Sequence, residues 1–302
     1  MLKSTSTLLC AVMMSFTGSA FAQEEGSQAA NAKSSGPAIT GIDLRYINDS
    51  NPAKAEFDRD IEATGSFLGR VTGTFYSNLL VQQSNLLSGI SFNGSASYEI
   101  NGDIEELGES RYRVSADWFR EYTTASLAPF YRLSLGLGML DSESAIRDSS
   151  IVDVSASVNF QPTNFFDTTL GVRYEVREAE TEVFDTSKAT VSLTANFSPL
   201  QRLILRAGLR FVTGNEVSTA TPTISIVNAQ DVIEPDDAFG GFEENRFAYL
   251  LDADSTLLEL GLGYVVSDAI ETNLLYRIVS TSAAGDIGYD RNMLELTFSY
   301  SL

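Results

Sequence analysis

Along most of the chain, apolar and polar side chains take turns. At the end, Leu294, Leu296, Phe298, Tyr300 and Leu302 alternate with Glu295, Thr297, Ser299 and Ser301. Upstream, Leu258, Leu260, Leu262 and Tyr264 alternate with Glu259, Gly261 and Gly263. Leu203, Leu205, Ala207, Leu209 and Phe211 alternate with Arg202, Arg206, Gly208 and Arg210. The stretches 191–197, 170–176 and 152–160 repeat the pattern. A period of two marks an extended strand whose faces meet different surroundings. The pattern predicts twelve strands, at 39–47, 61–75, 87–101, 109–121, 128–141, 148–160, 165–178, 186–198, 202–213, 254–266, 269–281 and 289–302.

These segments are longer than the usual five or six residues of a soluble strand, and a tilted strand crossing a bilayer needs about 9 to 11. The apolar face carries aromatics near its ends, at Phe75, Trp118, Phe160, Phe197 and Tyr300, as an interfacial girdle does. Lipid offers no hydrogen-bond partner, so a sheet within it must close on itself. The fold class expected is an all-β, antiparallel, up-and-down transmembrane β-barrel of about 12 strands.

Connection lengths agree. After even strands, Gln161–Asn164, Ser198–Gln201 and Ser267–Asp268 are tight turns rich in Pro, Asn and Asp. After odd strands the loops are longer and more acidic, and Gly214–Ala253 runs to forty residues. Short periplasmic turns and long outer loops are the asymmetry of such barrels; the connection 76–86 is long for its side.

Residues 1–22 read as a secretory signal: Lys3, an apolar run from Leu8 to Phe16, then Ala20-Phe21-Ala22. Residues 23–38 are polar and flexible in type, a periplasmic N-terminal segment, and 39–302 form the barrel. Cys10 lies inside the leader, so the exported chain has no disulfide. Losing Lys3 takes the charge from −20 to −21. No apolar segment is long enough for a membrane helix.

Composition narrows the chemistry. His is absent, which removes Ser-His and Cys-His catalysis and the usual zinc sites. No cofactor is implied, and no enzyme activity is expected. Twenty basic against forty acidic residues argue against nucleic acid.

The chain resembles the bacterial outer-membrane β-barrel superfamily, from about Ile39 to Leu302. The motif that carries this is the terminal strand ending Phe298-Ser-Tyr300-Ser-Leu302, where the superfamily more often ends in Phe. The resemblance implies insertion by the barrel-assembly machinery, a place in the cell outer membrane, and contact with its lipid. In size and hairpin pattern the chain is also similar to the β-barrel porins found near exopolysaccharide genes.

Function is sought first on the lumen face. Basic residues gather on the seventh to ninth strands at Arg173, Arg177, Lys188, Arg202, Arg206 and Arg210. Acids stand apart at Glu62, Glu99, Asp117, Glu121 and Glu295. Such an arrangement sets a field across a pore. The competing reading is that these groups pair with neighbours and fill the lumen, since buried charges need partners. Loop 214–253 is expected to fold inward as a constriction or to meet a partner outside. Three functions follow: a small porin-like pore for polar or charged solutes, a closed structural or adhesive surface barrel, and an accessory barrel in exopolysaccharide export.

Overall fold

A computed structural model describes residues 38–61, 63–76, 81–83, 86–122 and 129–302. The leader at 1–22, residues 23–37 and Glu62 lie outside the described residues. The strands are β1 (Ala38–Asp49), β2 (Thr64–Tyr76), β3 (Val81–Gln83), β4 (Leu86–Asn101), β5 (Glu109–Tyr122), β6 (Phe130–Ser142), β7 (Ser149–Thr163), β8 (Phe166–Ala179), β9 (Thr186–Leu200), β10 (Leu203–Ala220), β11 (Val232–Pro235), β12 (Phe247–Ser267), β13 (Ile270–Ala283) and β14 (Gly288–Ser301).

Twelve of these form a closed antiparallel ring. Each pairs with its neighbour, β10 pairs directly with β12, and β1 closes on β14 with Leu44 opposite Phe298. The two remaining strands are accessories. β3 adds three residues to the edge of β4 within the long 76–86 connection, and β11 pairs with the tip of β12.

The ring is inside out relative to a soluble protein. Its buried side chains include Asp43, Thr72, Asp117, Asp153 and Glu295, while large apolar residues face outward. On β6, Tyr131, Leu133, Leu135, Leu137 and Met139 are 37–66% exposed. Those five alternate positions span ~27 Å along the strand, and ~20 Å of membrane thickness at the usual tilt. Trp118, Phe160, Phe197 and Tyr300 also face outward; the side chain of Phe75 lies outside the description. Only lipid accommodates such a surface around a closed sheet.

The expected loop Gly214–Ala253 is corrected by the structure. β10 continues to Ala220 and β12 begins at Phe247, so the true connection is 221–246. β9 pairs with β10 only as far as Gly214, and β13 with β12 only as far as Ala253. Beyond those points the hairpin pairs with itself and with β11. It leans inward across the mouth, so Val217 and Thr219, which continue the lipid-facing register of Leu209 and Phe211, line the interior. Gly214 permits the bend: its φ is +130°, and a Cβ there would sit 2.0 Å from the Ser187 carbonyl oxygen.

This hairpin and the segment 221–246 form a lid. Two apolar clusters hold it. Tyr249, Leu251, Ala220 and Ile226 pack with Ala53, Ala55 and Ile287; Ala248 and Leu250 pack with Val183 and Phe184 on the other side. Segment 221–246 contains α1 (Ile224–Ala229), capped by Thr223, and the short α2 (Gly241–Glu244).

Polar contacts tie the lid to the remaining hairpin loops. On the β1–β2 loop, Asp60 accepts from Arg246 at 2.5 Å and from the Thr221 hydroxyl at 2.9 Å. On the β6–β7 loop, Arg147 donates to Asp236 at 2.6 Å and Ser144 to Asp237 at 2.5 Å. The lid also touches the 3-10 turns Glu105–Leu107, Glu182–Phe184 and Ala284–Asp286. It therefore reaches all five other loops at this end of the barrel.

Candidate functional site

Inward-facing positions are mostly Ser, Thr, Gly, Asn and charge, and the charges are paired across strands. A chain of ion pairs crosses five adjacent strands of the wall in order. Arg210 meets Glu259 at 3.0 Å, Glu259 meets Arg277 at 3.5 Å, Arg277 meets Glu295 at 2.7 Å, and Glu295 meets Arg45 at 3.5 Å. Across the lumen, Asp153 lies between Arg113 at 2.8 Å and Arg173 at 3.4 Å, and Arg173 also reaches Glu175 at 2.6 Å. The expected separation of a basic arc from an acidic wall is therefore replaced by alternation. Desolvated charges need partners, and adjacent strands supply them.

Beneath the lid lies a cavity of about 210 Å³. Seven cations line it: Lys54, Arg111, Arg113, Arg147, Arg173, Arg177 and Lys188, with Glu175 and Glu216 as the acids. β5, β8 and β9 carry five of these cations on their inward register. Arg147 comes from the β6–β7 loop and stacks over the Phe184 and Phe239 rings at 4.6 and 5.9 Å. Lys54 comes from the β1–β2 loop.

Two features give the cavity its character. Arg177 donates to the Ser149 hydroxyl at 2.8 Å and the Arg147 carbonyl at 2.7 Å, both neutral acceptors. Glu216 is shared by Lys54 and by Lys188, the latter at 2.8 Å. Lys54 stands in the left-handed backbone region at φ 57°, an uncommon place for a side-chain-bearing residue. Its carbonyl accepts from Ser218 at 2.6 Å, and the Ala53 carbonyl accepts from the Thr219 amide at 2.8 Å. Burial pulls the Lys54 ammonium down to about 8, against the attraction of Glu216 and with Lys188 and Arg291 adding to the fall.

The structure brings Arg173, Arg177 and Lys188 together in this cavity and places the other candidates elsewhere. Arg206 lies lower, between Asn196 at 3.1 Å and Glu271 at 3.3 Å. Arg210 and Glu295 belong to the ion-pair chain. Arg202 sits exposed in the tight turn between β9 and β10, not on the lumen wall as expected. Asp117 is buried and accepts from Asn93 at 2.5 Å. Glu99 faces inward on β4, opposite Glu109. Glu121 is exposed at the opposite end of β5. Lys54, Arg147 and Glu216 were not among the expected site residues, nor were Arg111, Arg113 and Glu175. Lys54 and Arg147 are on loops and Glu216 lies in a stretch assigned to loop, while the other three stand on β5 and β8.

Among the described residues no group of three or more His, Cys, Asp or Glu side chains is arranged to hold a metal ion. Closed ring, apolar belt and charged lumen together define a β-barrel of the bacterial outer membrane. No family model matches the sequence, and no curated protein matches it either.

Among solved structures, the chain is similar to an outer membrane channel from Pseudomonas putida F1. That likeness has TM-score 0.53 and 12% identity, and covers 93% of this chain and 100% of that one. It is also similar to the NanC porin, at TM-score 0.48 and 8% identity over 86% and 100% of the two chains. A third is the outer membrane channel DcaP of Acinetobacter baumannii, at TM-score 0.41 and 9% identity over 88% and 97%. At 12% identity the first of these likenesses speaks for the fold alone.

Proposed function

We propose that this barrel is a non-catalytic, porin-like channel that passes small anionic solutes, with the lid controlling access to the lumen. The observation that carries the reading is the cavity beneath the lid. A chain with formal charge −20 lines it with seven cations and two acids, and Glu109, Asp153 and Asp236 pair with four of those cations from outside the lining. Convergent guanidinium and ammonium groups lower the energy of an anion in a space partly removed from water. At ~30 Å³ per water molecule the cavity holds roughly seven waters, which suits a small solute and not a polymer strand. That size gives no support to exopolysaccharide passage with the lid shut.

The test is planar-bilayer recording of purified, refolded barrel under a KCl gradient. The reversal potential is expected to show preference for chloride, and Arg173→Gln with Arg177→Gln is expected to reduce it. Cation preference, or selectivity unmoved by that pair, would refute the reading.

A second reading, a closed structural barrel, is favoured by the lid reaching all five other loops. A barrel lacking 221–246 that still conducts nothing would establish it.

A further inference from the structure

Taken with its ion-pair partners, the cavity beneath the lid is not neutral. Seven cations line it. Five carboxylates answer them: Glu175 and Glu216 in the lining, and Glu109, Asp153 and Asp236 from behind it. Two positive charges are left over, and their places can be named. Glu216 is divided between Lys54 and Lys188. Arg177 pairs with no carboxylate among the described residues; its hydrogen bonds go to the Ser149 hydroxyl and the Arg147 carbonyl. The adjoining Arg291 adds nothing, since Asp49 matches it. Charges partly removed from water need partners, and a surplus of two matches an anion of charge two.

Much of the remaining lining is apolar, with Leu140, Phe184, Val217 and Phe239. A bare inorganic ion has nothing to set against those side chains, whereas an ester has. The volume of about 210 Å³ is that of roughly seven waters, enough for a phosphate group and a few carbons. The lining also comes from both sides of the closure. Arg173, Arg177 and Lys188 stand on the wall, while Val217 and Thr219 belong to the lid hairpin and Phe239 to segment 221–246. Lifting the lid therefore dismantles the cavity.

We propose that this cavity binds the dianionic phosphate group of a small phosphomonoester, and that the bound ester holds the lid shut. The site rests on the anion-channel reading and makes the ester a solute held on its way through. The guanidinium forks of Arg173 and Arg177 suit phosphate oxygens, and the lysine pair supplies the remaining positive charge. A ligand that binds the closed form and not the open one favours closure by mass action.

The test is isothermal titration calorimetry of the refolded full barrel in neutral detergent at about pH 7.5, where ethyl phosphate is mostly a dianion because its second ionisation lies near 6. Ethyl sulfate, of the same shape with a single charge, is the comparison. One ethyl phosphate is expected per barrel, with ethyl sulfate and inorganic phosphate both weaker, the sulfate by at least about tenfold. Arg177→Gln is expected to weaken ethyl phosphate about tenfold, the effect of losing a hydrogen bond to a charged group, and Arg177→Lys less. Heat-modifiable gel migration confirms that each variant is folded, and the comparison of the two esters needs no variant. Ethyl phosphate at ten times its Kd is expected to slow proteolysis of 221–246 about tenfold. Equal affinity for the two esters, inorganic phosphate bound as tightly as ethyl phosphate, affinity unchanged in folded Arg177→Gln, or binding without protection of the lid overturns the proposal. Chloride preference in the bilayer without ethyl phosphate binding removes this site and leaves the anion channel standing. Ethyl phosphate bound by a barrel that prefers cations keeps the site and removes the channel reading.

Discussion

Glu216→Gln tests whether the lid is latched by charge. The wild-type carboxylate serves Lys54 and Lys188 together, and its side chain is 13% exposed. Removing one member of a buried pair costs about 3–5 kcal/mol, because the remaining charge stays buried. Two features reduce the figure here. Both lysine side chains keep about a quarter of their surface in contact with solvent. Lys54 is also already held near 8, so shedding its proton at pH 7 costs only ~1.4 kcal/mol per unit. A loss of about 2 kcal/mol in lid closure follows, roughly thirtyfold in the closed-to-open ratio. Single-channel recording reads this as a rise in open probability, and limited proteolysis of 221–246 reads it as faster cleavage. Asn215→Ala, one residue away, where the side-chain amide oxygen accepts from the Ser187 hydroxyl at 3.1 Å, is the neutral control. If Glu216→Gln matched the wild type in both assays, the latch argument would be wrong.

Three further outcomes are expected. Gly214→Ala places a methyl 2.0 Å from the Ser187 carbonyl at a positive φ, so strain of roughly 1–3 kcal/mol should lower the thermal midpoint and loosen the lid, and an unchanged midpoint would count against the bend. Lys54 is depressed to about 8 when the lid is shut and returns toward its usual 10.5 when exposed; the closed state binds fewer protons, so closure is penalised fully below pH 8 and strengthens as pH rises from about 8 to 10.5, seen as slower lid proteolysis, with the slope abolished in Lys54→Met. Leu296→Arg puts a charge on the lipid face at a residue 53% exposed; a loss of about 2–4 kcal/mol is expected for a midplane site, read by denaturant unfolding from vesicles.

The ring was legible in the sequence because lipid on one side and water on the other force a period of two. Each of the twelve long strands has an expected counterpart, and most bounds agree within a few residues. The lid was not legible for the same reason. Where β12 passes into it, Tyr249 and Leu251 are covered on one face, and Ala248 and Leu250 on the other. The alternation therefore collapses into the continuous apolar run 247–251. Such a run signals a strand buried on both faces, and it was the cue available. Arg173, Arg177 and Lys188 were found because a strand fixes which way they point. Lys54 and Arg147 were not, since loops carry no such period, and Arg111 and Arg113 on β5 were passed over although their strand does carry it. The ion pairs depend on cross-strand register, and bulges such as that between Phe160 and Thr163 shift register in ways that one strand's sequence does not reveal.

The ion-pair chain crosses the join between the first strand and the last, where Glu295 of β14 meets Arg45 of β1. A polypeptide threading into the bilayer must find that join by trial. Slipping β1 by a single residue would turn Asp43 and Arg45 out among the acyl tails and leave Glu295 without its arginine, and slipping by two would leave them inside but misaligned. The terminal strands thus carry their own proofreading: mis-sealed cylinders are penalised at the join itself.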